Sequence, residues 1–204
     1  MGEKDVVVTL SVANEQQRAA IYQKRHQVFA LELQQHQPNT EGRLSDALDD
    51  HNLYVVATRG AEVQGFVSIT PPGSPSFAID KYFKRVDLPV TIDEHVGEIR
   101  LLVVDRELRG NGVAYLLLYA AYRLCRSLDA TVIVGTGHSW ITDLYRSVGM
   151  ETPGLKAPSG QLVFDLVVGR AEILDAKARG FLPMFRTIAE ATRVDWQLPF
   201  PFEW

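Results

Sequence analysis

One cysteine in 204 residues, Cys125, leaves no means of building a disulfide framework or a multi-cysteine zinc site within a single chain. It lies inside a helical pattern and reads as a buried structural thiol. No apolar run approaches the ~18 residues that a spanning helix needs, and the N-terminal M-G-E-K-D-V-V-V carries no long apolar signal segment. A cytoplasmic protein with no membrane partner is expected. Positive charge is not in excess either: the formal net charge is −4, which provides no global basic field for nucleic acid or an anionic lipid surface. His26, His36, His51, His95 and His138 are scattered without metal-ligand spacing, so no metal site is expected. Internal repeats and low-complexity segments are lacking as well.

What is present suits one compact domain: 46% of residues are hydrophobic and 23% charged. The β-branched run Asp5 to Val12 reads as a first strand, and Asn14 followed by Glu15 and Gln16 as a helix start. Leu53 to Thr58 and Gln64 to Thr70 flank R-G-A-E-V and read as a hairpin. From Ser76 to His95 the chain is irregular, with a short helix expected over Ala78 to Phe83; such a long connection is often a binding loop. Ile99 to Val104 is a fourth strand, Gly112 to Leu128 a helix with apolar residues at three-and-four spacing, and Thr131 to Gly135 a fifth strand. A short helix over His138 to Ser147 and a late strand over Gln161 to Val168, paired with a short one near Met150 to Leu155, follow. Arg170 to about Arg193 reads as helix, ending in the tail W-Q-L-P-F-P-F-E-W. Strands and helices alternate only in the middle, which fits a mixed sheet flanked by helices.

The junction between the fourth strand and its helix, D-R-E-L-R-G-N-G-V-A, carries the chemistry. A strand that feeds through glycine into a helix leaves the first amides of the helix unpaired, with the positive end of the helix dipole behind them. Gly110 and Gly112 let a phosphate approach the backbone, and Arg106 and Arg109 add charge, so a pyrophosphate-bearing ligand is expected. The P-loop is excluded because Val113 and Ala114 stand where lysine and Ser or Thr are needed. The dinucleotide fingerprint is excluded by Tyr115 at its third glycine and by Val132 near the place of its acid.

Arg109, Gly112 and Ala114, after the strand E-I-R-L-L-V-V-D, resemble the acyl-coenzyme A motif of the GNAT superfamily of N-acyltransferases. Tyr145-Arg146-Ser147-Val148-Gly149-Met150, arriving after the next strand, resembles the Y-x-x-x-G-F signature of that family, with Met150 for the usual aromatic. The resemblance spans about Leu53 to Val168. It implies an α/β (α+β) fold with a mixed, mostly antiparallel sheet splayed between strands four and five, over residues 1–169; the C-terminal helical and proline-aromatic extension over 170–204 is unusual for a minimal member of that family. That extension either packs on its own domain or docks on another chain, as in a homodimer. The resemblance also implies acetyl-CoA or another acyl-CoA as co-substrate, with backbone groups of Leu102, Val103 and Val104 along the pantetheine and its pyrophosphate on Arg109, Gly110, Asn111, Gly112, Val113 and Ala114.

An amine must lose a proton before it can attack a thioester. Glu98 matches the acidic residue that many members use as base, and Tyr145 the tyrosine that protonates the departing thiolate. His138 stands where many relatives carry asparagine, and is open to a pantetheine contact, a base role or a helix cap.

A second resemblance, to acyl-homoserine-lactone and long-chain N-acyl-amino-acid synthases, lies in Arg25-His26-Gln27-Val28-Phe29 followed by Asp46, Asp49 and Asp50. Those enzymes take the acyl group from acyl carrier protein, which enters as the alternative donor; their arginine three residues past the strand-four glutamate is Leu101 here. Alternation along strand four puts Glu98, Arg100, Leu102 and Val104 on one side. Arg100 there suits the carboxylate of an amino-acid acceptor or an ion pair with Glu98, and the three aspartates offer an acidic wall for an amine or plain solvated surface. The leading expectation is transfer of an acetyl or other short acyl group to the primary amine of a small metabolite or amino acid, with Arg25, Phe29 and Arg100 on the acceptor. A non-catalytic acyl-CoA-binding module is the reading from another class.

Overall fold

A computed structural model of the chain describes residues 7–139, 141–159 and 162–203. Asp5, Val6 and Gln161, expected in the first and late strands, and Trp204 of the tail lie outside the described residues. The elements are β1 (Val8–Val12), α1 (Glu15–Arg25) continuing as a π-helical segment (His26–Glu32), β2 (Leu53–Arg59), β3 (Glu62–Thr70), β4 (Val96–Val104), α2 (Val113–Ser127), β5 (Val132–His138), α3 (Thr142–Ser147), β6 (Lys156–Ser159), β7 (Leu162–Arg170), α4 (Ala171–Ala191) and β8 (Val194–Gln197). They form one eight-stranded sheet in the order β6-β7-β5-β4-β3-β2-β1-β8. The sheet is mixed and mostly antiparallel, with β4–β5 and β1–β8 as its parallel pairs.

Local chemistry accounts for much of this. Asn14 caps α1 in a capping box, its Oδ1 accepting from the Gln17 amide at 2.9 Å while Gln17 Oε1 accepts from the Asn14 amide at 2.9 Å. The apolar face of α2 buries Leu116, Leu117, Ala120, Ala121, Leu124 and Cys125 against Val67, Ile69, Ile99 and Ile133 of the sheet. Ile21 and Val28 cover the opposite face over Tyr54, Val56, Phe66 and Val103.

A bulge in β4 overturns the expected alternation. Phe66 pairs with Val103 and Ser68 with Arg100, so Leu101 and Leu102 together stand opposite Val67, and Leu101 takes a φ of +55°. The extra residue reverses the faces beyond it. Glu98 and Arg100 remain beside Thr70 and Ser68, as expected, but Leu102 and Val104 pack with the α2 cluster, while Leu101 and Val103 join the α1 cluster. The β4–β5 ladder ends at Glu98–Val134. Just past it a Cβ on Gly135 would meet the Ile99 carbonyl at 2.6 Å. Beyond that contact the strands part, leaving Leu101 and Leu102 across a cleft from Thr136, Gly137 and His138.

Several boundaries differ from expectation, β3 starting at Glu62 and β4 at Val96 among them. β5 runs on to His138, so that histidine ends a strand, and α3 begins only at Thr142. The partner of β7 is Lys156–Ser159, the region near Met150 contributing one bridge between Glu151 and Val168. The chain after α4 turns at Arg193, φ +49°, and forms β8 alongside β1 before its aromatic end. Tyr119 of α2 stacks on Phe185 of α4 at 4.6 Å between ring centroids, and Trp196 and Phe202 meet edge to face at 5.0 Å beside them. The Phe202 carbonyl accepts from the Tyr119 hydroxyl at 2.6 Å. The tail thereby packs its half-buried rings beside α2 and α4.

Candidate active site

β4 connects two concavities. At its end Arg109 Nε donates to the Val104 carbonyl at 2.9 Å, pinning the glycine turn to the strand. Gly110 and Gly112 have φ of +85° and +88°, and Gly112 is the N-cap of α2. The amides of Gly110, Asn111, Gly112 and Ala114 find no acceptor among the described residues, and that of Val113 has only a long bond, 3.3 Å, to Asn111 Oδ1. Such a set of donors at a helix start favours an anion. The two glycines serve different ends. Gly110 has nothing within 4 Å of a would-be Cβ, whereas one on Gly112 would sit 2.6 Å from Ile188 Cδ1 of α4. The missing side chain of Gly112 therefore also makes room for α4. Ile188 and Met184 form the far wall of the groove beside the turn.

The second concavity, about 240 Å³, lies in the splay; Leu101 and Leu102 of β4, Gly137 and His138 of β5 and Tyr145 of α3 line it together with Arg25, Phe29, Asp46, Lys81, Tyr82 and Arg100. Asp46 is its electrostatic hub. Arg100 clamps the Asp46 carboxylate with both Nη atoms, Arg25 Nη2 lies at 3.2 Å and Lys81 Nζ at 3.8 Å. Burial would raise the Asp46 carboxyl, but the Arg100 hydrogen bonds and the charges of Arg100, Arg25 and Lys81 outweigh it and bring it down to about 2. Arg25 also donates to both oxygens of buried Asp49, at 2.9 and 2.7 Å. Asp46 and Asp49 are thus neutralised by arginines, which corrects their reading as an acidic wall, while Asp50 is exposed. Arg100 pairs with Asp46 and not, as one reading had it, with Glu98.

Glu98 is fully buried and is not among the residues that line the cleft. Its carboxylate accepts from Thr70 Oγ1 at 2.9 Å and from the amides of Ala78 and Ile79 at 2.8 and 2.9 Å, anchoring the short helical turn that carries Lys81. Burial pushes its carboxyl up; the two amides, Arg100 and Thr70 pull against that. His138 does line the cleft. Its Nε2 is 3.0 Å from Gln35 Nε2, and its ring lies 4.3 Å from that of Phe164, which stacks on Tyr82 at 4.9 Å. Burial lowers the imidazole below its ordinary value, with a bond to the Val163 backbone opposing. Tyr145 packs where a Cβ on Gly137 would meet its ring at 2.9 Å, and burial pushes its hydroxyl up to about 12.

Of the residues named from sequence, the splay gathers Arg25, Phe29, Arg100, Leu102, His138 and Tyr145; Val104, Arg109, Gly110, Asn111, Gly112 and Ala114 line the groove at the turn; Val113 is buried as the first residue of α2; Val103 is buried against α1. Gln35, Lys81, Tyr82, Phe164, Met184 and Ile188 were not anticipated. Among the described residues there is no group of three or more potential metal ligands and no helix long and apolar enough to cross a membrane.

The family model for GNAT acetyltransferases matches residues 12–150. This chain belongs to that family. No curated protein matches the chain by sequence. Its fold is similar to that of BjaI, a CoA-dependent acyl-homoserine lactone synthase solved with SAM and isopentyl-CoA, at 18% identity and a TM-score of 0.73, over 95% of this chain and 94% of that one. The acyl-homoserine-lactone synthase LasI aligns at 13% identity and a TM-score of 0.69, covering 86% and 95% of the two chains. Escherichia coli ElaA aligns at 14% and 0.56, covering 80% and 100%. As a GNAT member the chain is an acyltransferase by family.

Proposed function

We propose that this acyltransferase moves a short acyl group from acyl-CoA to the primary amine of a small, carboxylate-bearing acceptor such as an amino acid. One observation carries the reading. β4 brings the cleft and the anion-seeking turn within two residues of each other, Leu102 lining one and Val104 the other, so a pyrophosphate held on the turn would reach the splay through its pantetheine arm.

The amine nitrogen attacks the thioester carbonyl, the carbon–sulfur bond breaks, and coenzyme A leaves as a thiolate. The proton of the amine goes to His138, held neutral in the cleft, because Glu98 is sealed behind the lining by its three donors. Tyr145, kept protonated through neutral pH by burial, gives its proton to the thiolate. Arg100 and Lys81, which together with Arg25 exceed the charge of Asp46 on that wall, receive the acceptor carboxylate.

A second reading has a specific support. Phe29, Tyr82 and Phe164 give the cleft aromatic surfaces suited to a nucleobase, and the BjaI structure, similar along nearly its whole length, holds SAM and isopentyl-CoA. In that case SAM is the acceptor: its amine is acylated, then its carboxylate closes on the carbon bound to the sulfonium and expels methylthioadenosine.

The test begins with the melting temperature in coenzyme A, acetyl-CoA, isopentyl-CoA and a long-chain acyl-CoA, followed by thiol release with amino acids or SAM as acceptor. A shift with a short acyl-CoA and turnover with an amino acid supports the first reading; turnover with SAM alone, with lactone formed, replaces it by the second. Shifts without turnover by any amine point to the binding module, and no shift with any donor overturns both and turns the search to acyl carrier protein.

A further inference from the structure

Gln35 lies in the loop after the π-helical segment, far in sequence from the strands of the splay, and its backbone is fixed by donation to the Phe29 carbonyl at 2.8 Å. Its side chain crosses the cleft to His138 Nε2 at 3.0 Å. An amide nitrogen has hydrogens to donate and no lone pair to offer, so in this contact the imidazole nitrogen accepts. A ring that accepts at Nε2 is neutral and carries its hydrogen on Nδ1.

We propose that Gln35 is a positioning residue that fixes His138 in the neutral Nδ1–H tautomer with its Nε2 lone pair aimed into the cleft, and that its amide holds the place the N–H of the acceptor amine takes during the reaction. The inference deepens the reading above, since it rests on His138 as the base. Its geometry is independent of that reading. The ring is held between Phe164 on one side and Gln35 at the nitrogen, so it is presented in one orientation before any acceptor arrives. Donation to the neutral form also disfavours protonation, acting with burial to keep the base unprotonated.

The Val163 backbone also holds the ring, but its bond raises the imidazole and so acts against the neutral form. Arg25, Lys81 and Arg100 are gathered around Asp46. Tyr82 and Tyr145 are phenols that burial keeps protonated. His36, the other histidine in the lining, is lowered by burial and by Arg25 and Lys81 and serves as the control. Asp165, next to Phe164 on β7, is paired with Lys156 at 3.0 Å.

The experiment titrates the His138 ring by nitrogen-detected NMR in the whole chain without ligand, in wild type, Gln35→Met, Gln35→Glu and His36→Asn, assigned by loss of the signal in His138→Asn. Wild type is expected to show the Nδ1–H tautomer. Gln35→Met, which keeps the bulk and removes the donor, should move the titration upward, and Gln35→Glu, which puts an acceptor at Nε2, should move it upward by about 1 pH unit or more; His36→Asn should leave it in place. With an acceptor that turns over, the acid limb of kcat/KM should shift by the same amounts. An Nε2–H tautomer, or titrations of both Gln35 variants that overlay wild type, overturns the role of Gln35 while leaving the base untouched. An acid limb that survives in His138→Asn overturns the base reading itself, whatever the NMR shows. The substitutions at Gln35 fall on a half-buried loop residue, so the fold is not at stake.

Discussion

From Val104 to Ala114 the glycine turn is one uninterrupted stretch of chain, and the amides of Gly110, Asn111, Gly112 and Ala114 find no acceptor among the described residues. The cleft at the other end of the same strand segment is the reverse: Arg100 meets Asp46 across 54 residues and Gln35 meets His138 across 103, and nearly every charge already has a partner. The turn is built to receive negative charge from outside. The cleft is built to hold a shape, its carboxylates held by arginines and the Nε2 of His138 covered by an amide. A local motif can offer binding capacity because the backbone does the work; positioned side chains need distant segments to agree.

The contrast is sharpened most by separating His138, which lines the cleft, from Glu98 behind it. His138→Asn is expected to lower kcat by about 10²- to 10⁴-fold with coenzyme A affinity unchanged, while Glu98→Gln keeps kcat within about tenfold and instead lowers stability by about 1–3 kcal/mol, since a glutamine cannot satisfy all three donors. Single-turnover rates beside urea melts decide this; a larger rate loss in Glu98→Gln would return the base role to the carboxylate. Next in size is Asp49→Asn. Both partners of the Arg25–Asp49 pair are almost wholly buried, at 6% and 5% side-chain exposure, so removing the anion leaves the guanidinium with only the Asp46 carboxylate at 3.2 Å and is expected to cost about 3 kcal/mol in chemical denaturation.

How much of this was legible follows the same line. The turn, the strands around it and the helix after it were readable because each rests on residues a few positions apart: glycine, a charged pair, apolar spacing. Tyr145 was readable from its motif. The bulge at Leu101 was not, because a leucine gives no sign of a positive φ and its effect, reversing the faces of Leu102 and Val104, appears only against β3. Glu98 was found but misplaced for a related reason: that it faces the loop at Ala78 and not the cleft is set by a segment whose only local signal was irregularity. Nothing near Gln35 marks it as a partner of a histidine two strands past β3. β8 was hidden because four residues are too few to outweigh the proline-aromatic tail that follows them.

At the turn the expected effects are smaller and split by neighbour. Gly112→Ala combines a left-handed backbone with a clash on Ile188 and should cost about 2–4 kcal/mol, part of it recovered by adding Ile188→Ala; Gly110→Ala, equally left-handed but in open space, should cost about 1–2 kcal/mol and show no such recovery. Equal losses, or no coupling with Ile188, would remove α4 from the account of the turn. The smallest effect is the most diagnostic of the anion reading. Arg106 is 80% exposed and its carboxylate partner, on Glu32, is 4.0 Å away, so its expected action on a phosphate is a long-range one that salt screens. Arg106→Ala is expected to weaken acyl-CoA binding about twofold at low ionic strength and not at all in ~1 M salt, where the screening length falls to about 3 Å, while Arg109→Ala, tied to the Val104 carbonyl, should weaken it at both. A loss in Arg106→Ala that persists at high salt would mean that the side chain touches the donor directly, and that the turn, like the cleft, relies on a positioned side chain rather than on its backbone alone.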